Sequence, residues 1–256
     1  MKHFKSLRNL MFQLAFWRNG CPVRVGSKTL RLHPDFRRCN SEKDALADAL
    51  DANLRPGMTF VDVGANIGLY SVYAVACVGS QGSVYSFEPD KENMLSLMRN
   101  IRYCSSKAHI TAVESAVSDD ATKSTLSFFV PHDTGGAPQS EASLKPSVEG
   151  MREVTVHNTT LDAFFSDKPR VDFIKIDTEG AELLVLKGAA ALIKRDRPVL
   201  CIEYHGGKCN DFGYAVDDLK TLIQAYGYSE EVIWQGTSVC YYQTIAKPCE
   251  QNRPCS

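Results

Sequence analysis

No stretch of about 18 apolar residues occurs in the 256-residue chain, so a membrane-crossing helix is not expected. The nine cysteines, at 21, 39, 77, 104, 201, 209, 240, 249 and 255, include no CxxC pair. None joins a histidine at zinc-ligand spacing. The simpler reading is reduced thiols in a cytoplasmic protein, with Cys77 and Cys201 as core residues. An oxidising compartment would let Cys249 and Cys255 pair. Glycine and proline are at ordinary levels, 17 and 11, and nothing repeats internally. Collagen-like, low-complexity and fibrous chains are thereby excluded. A chain of this length hides about 70–75% of its unfolded surface and needs no staples to build a core.

Charge is balanced overall, 29 basic residues against 30 acidic, but not along the chain. Residues 1–38 hold nine Lys/Arg and a single acid, Asp35. In the same segment Leu7, Leu10, Met11, Leu14 and Trp17 fall on one helical face. That face is expected to pack on the domain or on a second copy in a homodimer. Peripheral membrane contact through residues 1–18 is the alternative. A signal peptide fits less well: the apolar stretch 10–17 is short, contains Gln13 and lacks a small-residue cleavage site.

Residues 1–53 read as the basic helix, a short hairpin around Gly26-Ser27 and a helix running from about Ser41 to Asn53. A second unit, 54–247, has a different rhythm. Apolar runs at 58–63, 83–87, 109–113, 171–176 and 198–203 alternate with helical stretches near 66–78, 90–104, 180–194 and 215–226. This alternation specifies an α/β fold with a mostly parallel sheet covered by helices on both faces. The connection 114–170 is long for a compact domain. It holds β-like pieces at 124–130 and 152–157 and reads as a lid or acceptor-binding insertion. Runs at 229–234 and 237–246 are expected to pair antiparallel at the sheet edge, and 248–256 reads as a tail.

The first candidate site is Phe60-Val61-Asp62-Val63-Gly64-Ala65-Asn66-Ile67-Gly68. An apolar strand ends in a glycine turn and a helix follows. Gly64 and Gly68 permit close backbone approach and positive φ. A dinucleotide fingerprint would be G-x-G-x-x-G, but Asn66 replaces its second glycine. Asp62 is a poor neighbour for a pyrophosphate and a good one for an ammonium group. The next strand ends in Phe87-Glu88-Pro89-Asp90, and Glu88 lies 24 residues after Gly64. An acid at about this spacing accepts from ribose hydroxyls. An ammonium at Asp62 and a ribose at Glu88 together describe S-adenosylmethionine.

The second candidate site is Ile174-Lys175-Ile176-Asp177-Thr178-Glu179-Gly180-Ala181-Glu182. Ligands in open α/β sheets sit at the carboxyl ends of strands, so Asp177 should project toward the same crevice as Asp62. Glu179 and Glu182 open a helix, where capping is an equally good account of their charge. Lys175 alternates with Ile174 and Ile176, and a buried lysine needs a carboxylate partner; Glu203 and Glu179 are expected to serve. It is either structural or a substrate-orienting cation. His205 follows the fifth strand and is the best-placed histidine to accept a proton at neutral pH, with Glu203 orienting it or pairing with Lys175. His132 falls in the lid, where it could touch substrate. Asp177, Glu179 and Glu203 are acidic and expected near one another, so a divalent metal is an alternative there, but no metal-ligand spacing stands out and none is assigned.

With FVDVGANIG, SFEPD, the Thr160-Leu161-Asp162 step, IKIDTEGAELLVLKG and the late Arg197-Pro198…Glu203 strand in order, the chain resembles the FkbM-type S-adenosylmethionine-dependent methyltransferases over about 54–205. The resemblance implies a class I, Rossmann-like, seven-stranded sheet whose last strand is antiparallel. It implies O-methylation of a hydroxyl on a sugar, a glycan or lipid-linked glycan, or a natural product. It assigns Asp62, Gly64, Asn66, Gly68, Glu88 and Pro89 to the cofactor. Ser115–Ser118, including Ala116 and Ser118, would flank adenine, and Asp177 would lie by the reactive methyl.

Catalytic candidates are therefore Asp177, His205, Glu179 and Lys175. Two other readings stay open: a nucleic-acid methyltransferase gripping through the basic N-terminus, and a non-catalytic S-adenosylmethionine-binding partner subunit. Nucleic acid is the less expected partner, because the aromatics of the basic segment are committed to its apolar face.

Overall fold

The computed structural model describes residues 16, 18–36, 41–104, 108–131, 142–146, 151–236 and 241–249. The amphipathic face before Trp17, and His132, lie outside them. Five strands build the parallel part of the main sheet: β3 (Thr59–Val63), β4 (Ser83–Phe87), β5 (His109–Val113), β9 (Phe173–Ile176) and β10 (Val199–His205). With β11 (Tyr228–Gln235) and β12 (Tyr241–Pro248) the order is β11-β12-β10-β9-β3-β4-β5. β12 runs antiparallel to both of its neighbours. This is the class I methyltransferase sheet, with its strand order reversing between β3 and β9.

Every residue of β3 and of β9 is buried, because both faces of these strands are covered. Val61, Val63, Ile174 and Ile176 face the helices Glu182–Lys187, Ala190–Asp196 and Val216–Ala225. Phe60 and Phe173 face the other way, toward the helices Ala45–Asn53 and Leu69–Val78. The hairpin of β1 (Cys21–Val25) and β2 (Lys28–Leu32) packs into that second layer through Val23, Val25, Leu30 and Leu32. The period of two decides which face Asp62 and Lys175 occupy: that of Phe60 and Phe173.

The long connection after β5 is described over residues 114–131, 142–146 and 151–170. It carries β6 (Ala116–Val117), β7 (Thr125–Val130) and β8 (Arg152–Thr159), joined as a small sheet in the order β6-β8-β7. The helix expected over 180–194 is two helices broken at Gly188. A Cβ there would come within 2.0 Å of the Ser118 carbonyl oxygen, so glycine is what admits the small sheet this close. The second helix is capped from outside: the Asp162 carboxylate accepts from the N–H groups of Ala191 and Leu192 at 3.0 and 2.8 Å.

The reading that left every thiol reduced needs correction. Cys21, Cys77, Cys104, Cys201 and Cys209 form no disulfide, but Cys249 is disulfide-bonded. Its partner lies outside the described residues, as does Cys255. Among the described residues no helix is long and apolar enough to cross a membrane.

Gly64 closes the turn after β3 at φ +76°, and a Cβ there would lie 1.8 Å from the Asp177 carbonyl oxygen. Gly64→Ala is therefore expected to lower stability by roughly 2–5 kcal/mol, measured by urea unfolding. A loss under half a kilocalorie would show that the two turns separate easily.

Candidate active site

The carboxyl ends of β3, β4, β9 and β10 open onto one cleft. It encloses about 890 Å³, its open mouth included. Gly64 and Asn66 come from the first turn, Glu88 and Pro89 from the end of β4, and Asp177, Thr178 and Glu179 from the end of β9. Ser115, Ala116, Phe128 and Leu144 reach in from the connection after β5, while Glu203 and Tyr241 close the far side. Sequence reasoning missed Tyr241 and Phe128. Phe128 is buried and Tyr241 is exposed, and nothing local in either strand tells which aromatic borders a cavity.

Under the cleft floor lies a buried charge network. Asp62 and Lys175 are register partners on β3 and β9. The Lys175 ammonium donates to Asp62 Oδ1 at 3.0 Å and to the Gly64 carbonyl at 2.9 Å, and lies 3.3 Å from Asp177 Oδ2. Ser71 donates to the other Asp62 oxygen at 2.6 Å, and Ser86 to Ser71 at 2.8 Å. Burial alone would lower the lysine's proton affinity, but Asp62 and Asp177 hold it above its ordinary value. Two expectations are corrected. Asp62 is fully buried with both oxygens engaged, so it sits beneath the cleft and leaves no open oxygen for the ammonium expected there. Lys175 pairs with Asp62 and Asp177, where Glu203 or Glu179 was expected, because the parallel register puts Asp62 beside it.

Gly68 and Ser118 also lie away from the cleft lining. Gly68 stands against Leu97, whose Cδ1 would be 2.2 Å from an added Cβ. Ser118 is buried; its N–H donates to the Thr159 carbonyl and its hydroxyl accepts from Asp120 N–H. Chain packing explains both positions.

Glu88 is the polar anchor of the apolar half. Its Oε2 accepts from Asn66 N–H at 2.7 Å, and its Oε1 from Asp90 N–H at 2.9 Å and the Asn93 amide at 3.4 Å. Burial nonetheless pushes its carboxyl up to about 7. Opposite it stands an acidic wall. Glu179 holds a left-handed φ of +55°, a conformation that persists in a non-glycine residue only when its surroundings impose it. Its carboxylate pairs with Lys208.

The fully buried Glu182 accepts from the N–H of Gly180 at 3.0 Å and of Thr178 at 3.3 Å, and from the Tyr214 hydroxyl at 3.1 Å. Its Oε1 also binds His205 Nδ1 at 2.9 Å. His205 Nε2 then faces Glu179 Oε2 at 3.5 Å, and Asp177 Oδ1 and Glu203 Oε1 at 3.9 Å each. Burial would lower its proton affinity, but Glu182 and the other carboxylates raise it to about 9. These carboxylates favour the protonated imidazole, which argues against its assignment as the base. Burial raises Glu203 as well, and Asp177 adds to the effect; Tyr241 and Gln243 donate to its two oxygens.

These residues fit S-adenosylmethionine. A sulfonium-bearing ligand would face Asp177, Glu179 and Glu203, with no Lys or Arg among the described lining residues. Its base and ribose would face Phe87, Val117, Phe128 and Leu144 around Glu88. A pyrophosphate would meet only like charge.

Two outcomes are expected. Lys175→Met strands a buried Asp62 and should destabilise the protein by about 3–5 kcal/mol, read by thermal and urea unfolding. If ribose hydroxyls donate to ionised Glu88, S-adenosylhomocysteine affinity measured by calorimetry should fall about tenfold between pH 8 and pH 6, and the profile should flatten in Glu88→Gln. An unchanged slope in that variant would remove Glu88 from the ligand.

A model described as the methyltransferase FkbM domain matches residues 62–230. Methyltransferase sdnD of Sordaria araneosa is 32% identical over 162 residues, 54% of this chain and 62% of that protein. The chain thus spans under two thirds of that relative. The solved FkbM methyltransferase of Methylobacillus flagellatus KT superposes with TM-score 0.51 at 18% identity, over 83% of this chain and 52% of that one. An rRNA methylase from Streptococcus thermophilus gives TM-score 0.50 at 9% identity, over 82% and 99%. At these identities the two structures speak to the fold alone. The match over 62–230, on a class I sheet whose cleft accommodates S-adenosylmethionine, settles the family: the chain belongs to the FkbM methyltransferases.

Proposed function

We propose that the protein transfers a methyl group from S-adenosylmethionine to a hydroxyl oxygen of a small-molecule, glycan or lipid-linked acceptor. The observation that carries this reading is the division of one cleft into an apolar half around Glu88 and an acidic half formed by Asp177, Glu179, Glu203 and Tyr241. S-adenosylmethionine supplies an activated methyl on a sulfonium and leaves as a neutral thioether.

The chain's own work is placement. Glu88 fixes the ribose, and Phe128 and Leu144 exclude water from the base. Asp177 and Glu203 accept the hydrogen bond of an acceptor hydroxyl, which turns an oxygen lone pair toward the methyl; as the oxygen–methyl bond forms and the sulfur–methyl bond breaks, one of these carboxylates takes the hydroxyl proton. Lys175 holds Asp177 from below, and His205 keeps three carboxylates together; both are positioning residues. The acidic lining disfavours a nucleic-acid backbone, whose phosphates would enter against like charge.

Incubation with methyl-labelled S-adenosylmethionine and a panel of alcohols, sugars and lipid-linked glycans tests the proposal. A base-stable, ether-linked label is expected. Glu203→Gln should slow transfer about 10²-fold and leave S-adenosylhomocysteine affinity nearly unchanged. Base-labile or amine-linked label would overturn the hydroxyl assignment. Cofactor binding without transfer to any acceptor would favour the partner-subunit reading.

A further inference from the structure

The convergence of Asp177, Glu203 and His205 has no explanation in cofactor binding alone. One carboxylate oxygen from each acid and one imidazole nitrogen all lie within 4.8 Å of one another. His205 is buried, and its Nε2 points into this group. The facing oxygens of Asp177 and Glu203 are 3.9 Å from Nε2, and that of Glu179 is 3.5 Å away. These separations are too long for good hydrogen bonds. They suit a shared ion: two oxygen or nitrogen donors each about 2.1 Å from one cation stand up to about 4.2 Å apart.

The support behind the imidazole points the same way. Glu182 Oε1 holds Nδ1 at 2.9 Å and is itself fixed by the N–H of Gly180 at 3.0 Å. Carboxylate, histidine and open Nε2 in line is the arrangement that orients a metal-binding imidazole. Asp177 and Glu203 belong to the cleft lining, so an ion there would have solvent, or an acceptor oxygen, for its remaining positions.

We propose that Asp177, Glu203 and His205 form a divalent-cation site on the acceptor side of the cleft. Two hard carboxylates with one imidazole favour a manganese-like ion over calcium, which prefers all-oxygen cages. The inference rests on the methyltransferase reading for its role: the ion takes the acceptor hydroxyl as a ligand and fixes it between Asp177 and Glu203.

The test uses full-length protein stripped with a chelator and titrated with Mn²⁺, the free ion being followed by electron paramagnetic resonance. One saturable site per chain is expected. Spin-echo spectra of the wild-type complex should show coupling to an imidazole nitrogen, which requires no variant to fold. His205→Asn should abolish that coupling, and Glu203→Gln should weaken Mn²⁺ at least tenfold. S-adenosylhomocysteine titrated into the same samples reports whether the cofactor half is intact. No saturable Mn²⁺ binding, or binding without nitrogen coupling, overturns the site even where S-adenosylhomocysteine binds normally. Failure of S-adenosylhomocysteine to bind counts separately, against the reading beneath it.

Discussion

The ammonium of Lys175, buried between Asp62 and Asp177, is the constraint on which the site depends. It lies where the sheet reverses its order, the point at which an open α/β sheet leaves a crevice. A charge there is tolerable only because each of its neighbours is placed by something else. The parallel register brings Asp62 alongside, Ser71 and Ser86 complete the aspartate's hydrogen bonds, and the Gly64 carbonyl takes a third donation. The same contacts tie the turn after β3 to the turn after β9. Those turns supply, from opposite sides, the backbone around the cofactor half and the carboxylate at the start of the acceptor half. A neutral core could pack as well, but it would not fix these two loops to each other.

Above this floor the cleft works by contrast between its halves. Around Glu88 the walls are apolar, and a single carboxylate, pushed to about 7 by burial, is left to recognise hydroxyls. Across from it the carboxylates are gathered around one imidazole and its partner Glu182. Mutual repulsion would drive such a wall apart without a cation at its centre. His205, its proton affinity raised by these same carboxylates to about 9, supplies that charge from within the chain.

Much of this was legible in the sequence, and for identifiable reasons. The alternation of apolar runs with helical stretches gave the parallel sheet, because strands covered on both faces cannot alternate. Glu88, Asn66 and Asp177 could be placed in the crevice because they sit at strand ends, and strand ends follow from hydrophobic runs. Asp62 was misread because spacing along the chain does not reveal a partner 113 residues away. The pairing of Asp62 with Lys175 is a property of register, which appears only once β3 and β9 are neighbours. His205 was misread for a related reason. Its proton affinity is set by Glu182, Asp177 and Glu179, which meet it only in three dimensions. The break at Gly188 and the contribution of Tyr241 were hidden likewise, since both answer to segments distant in sequence.

The position of β12 bears on how the molecule comes into being. This strand lies between β10 and β11, so the older edge of the sheet at β10 stays bare until residues 241–248 have been made. Synthesis from the N-terminus can therefore assemble the turn after β3, the Glu88 anchor and the Lys175 network well before the chain is finished. Tyr241 arrives late and takes its place beside His205 when the final strand threads between two others. During that interval the nascent protein carries an interior strand paired to β9 alone, and its bare edge is of the kind that recruits wrong partners. Completion of the acceptor wall and protection of the sheet are thus one event on the ribosome's timetable, and a chain arrested before residue 241 would be both incomplete at its wall and prone to aggregate.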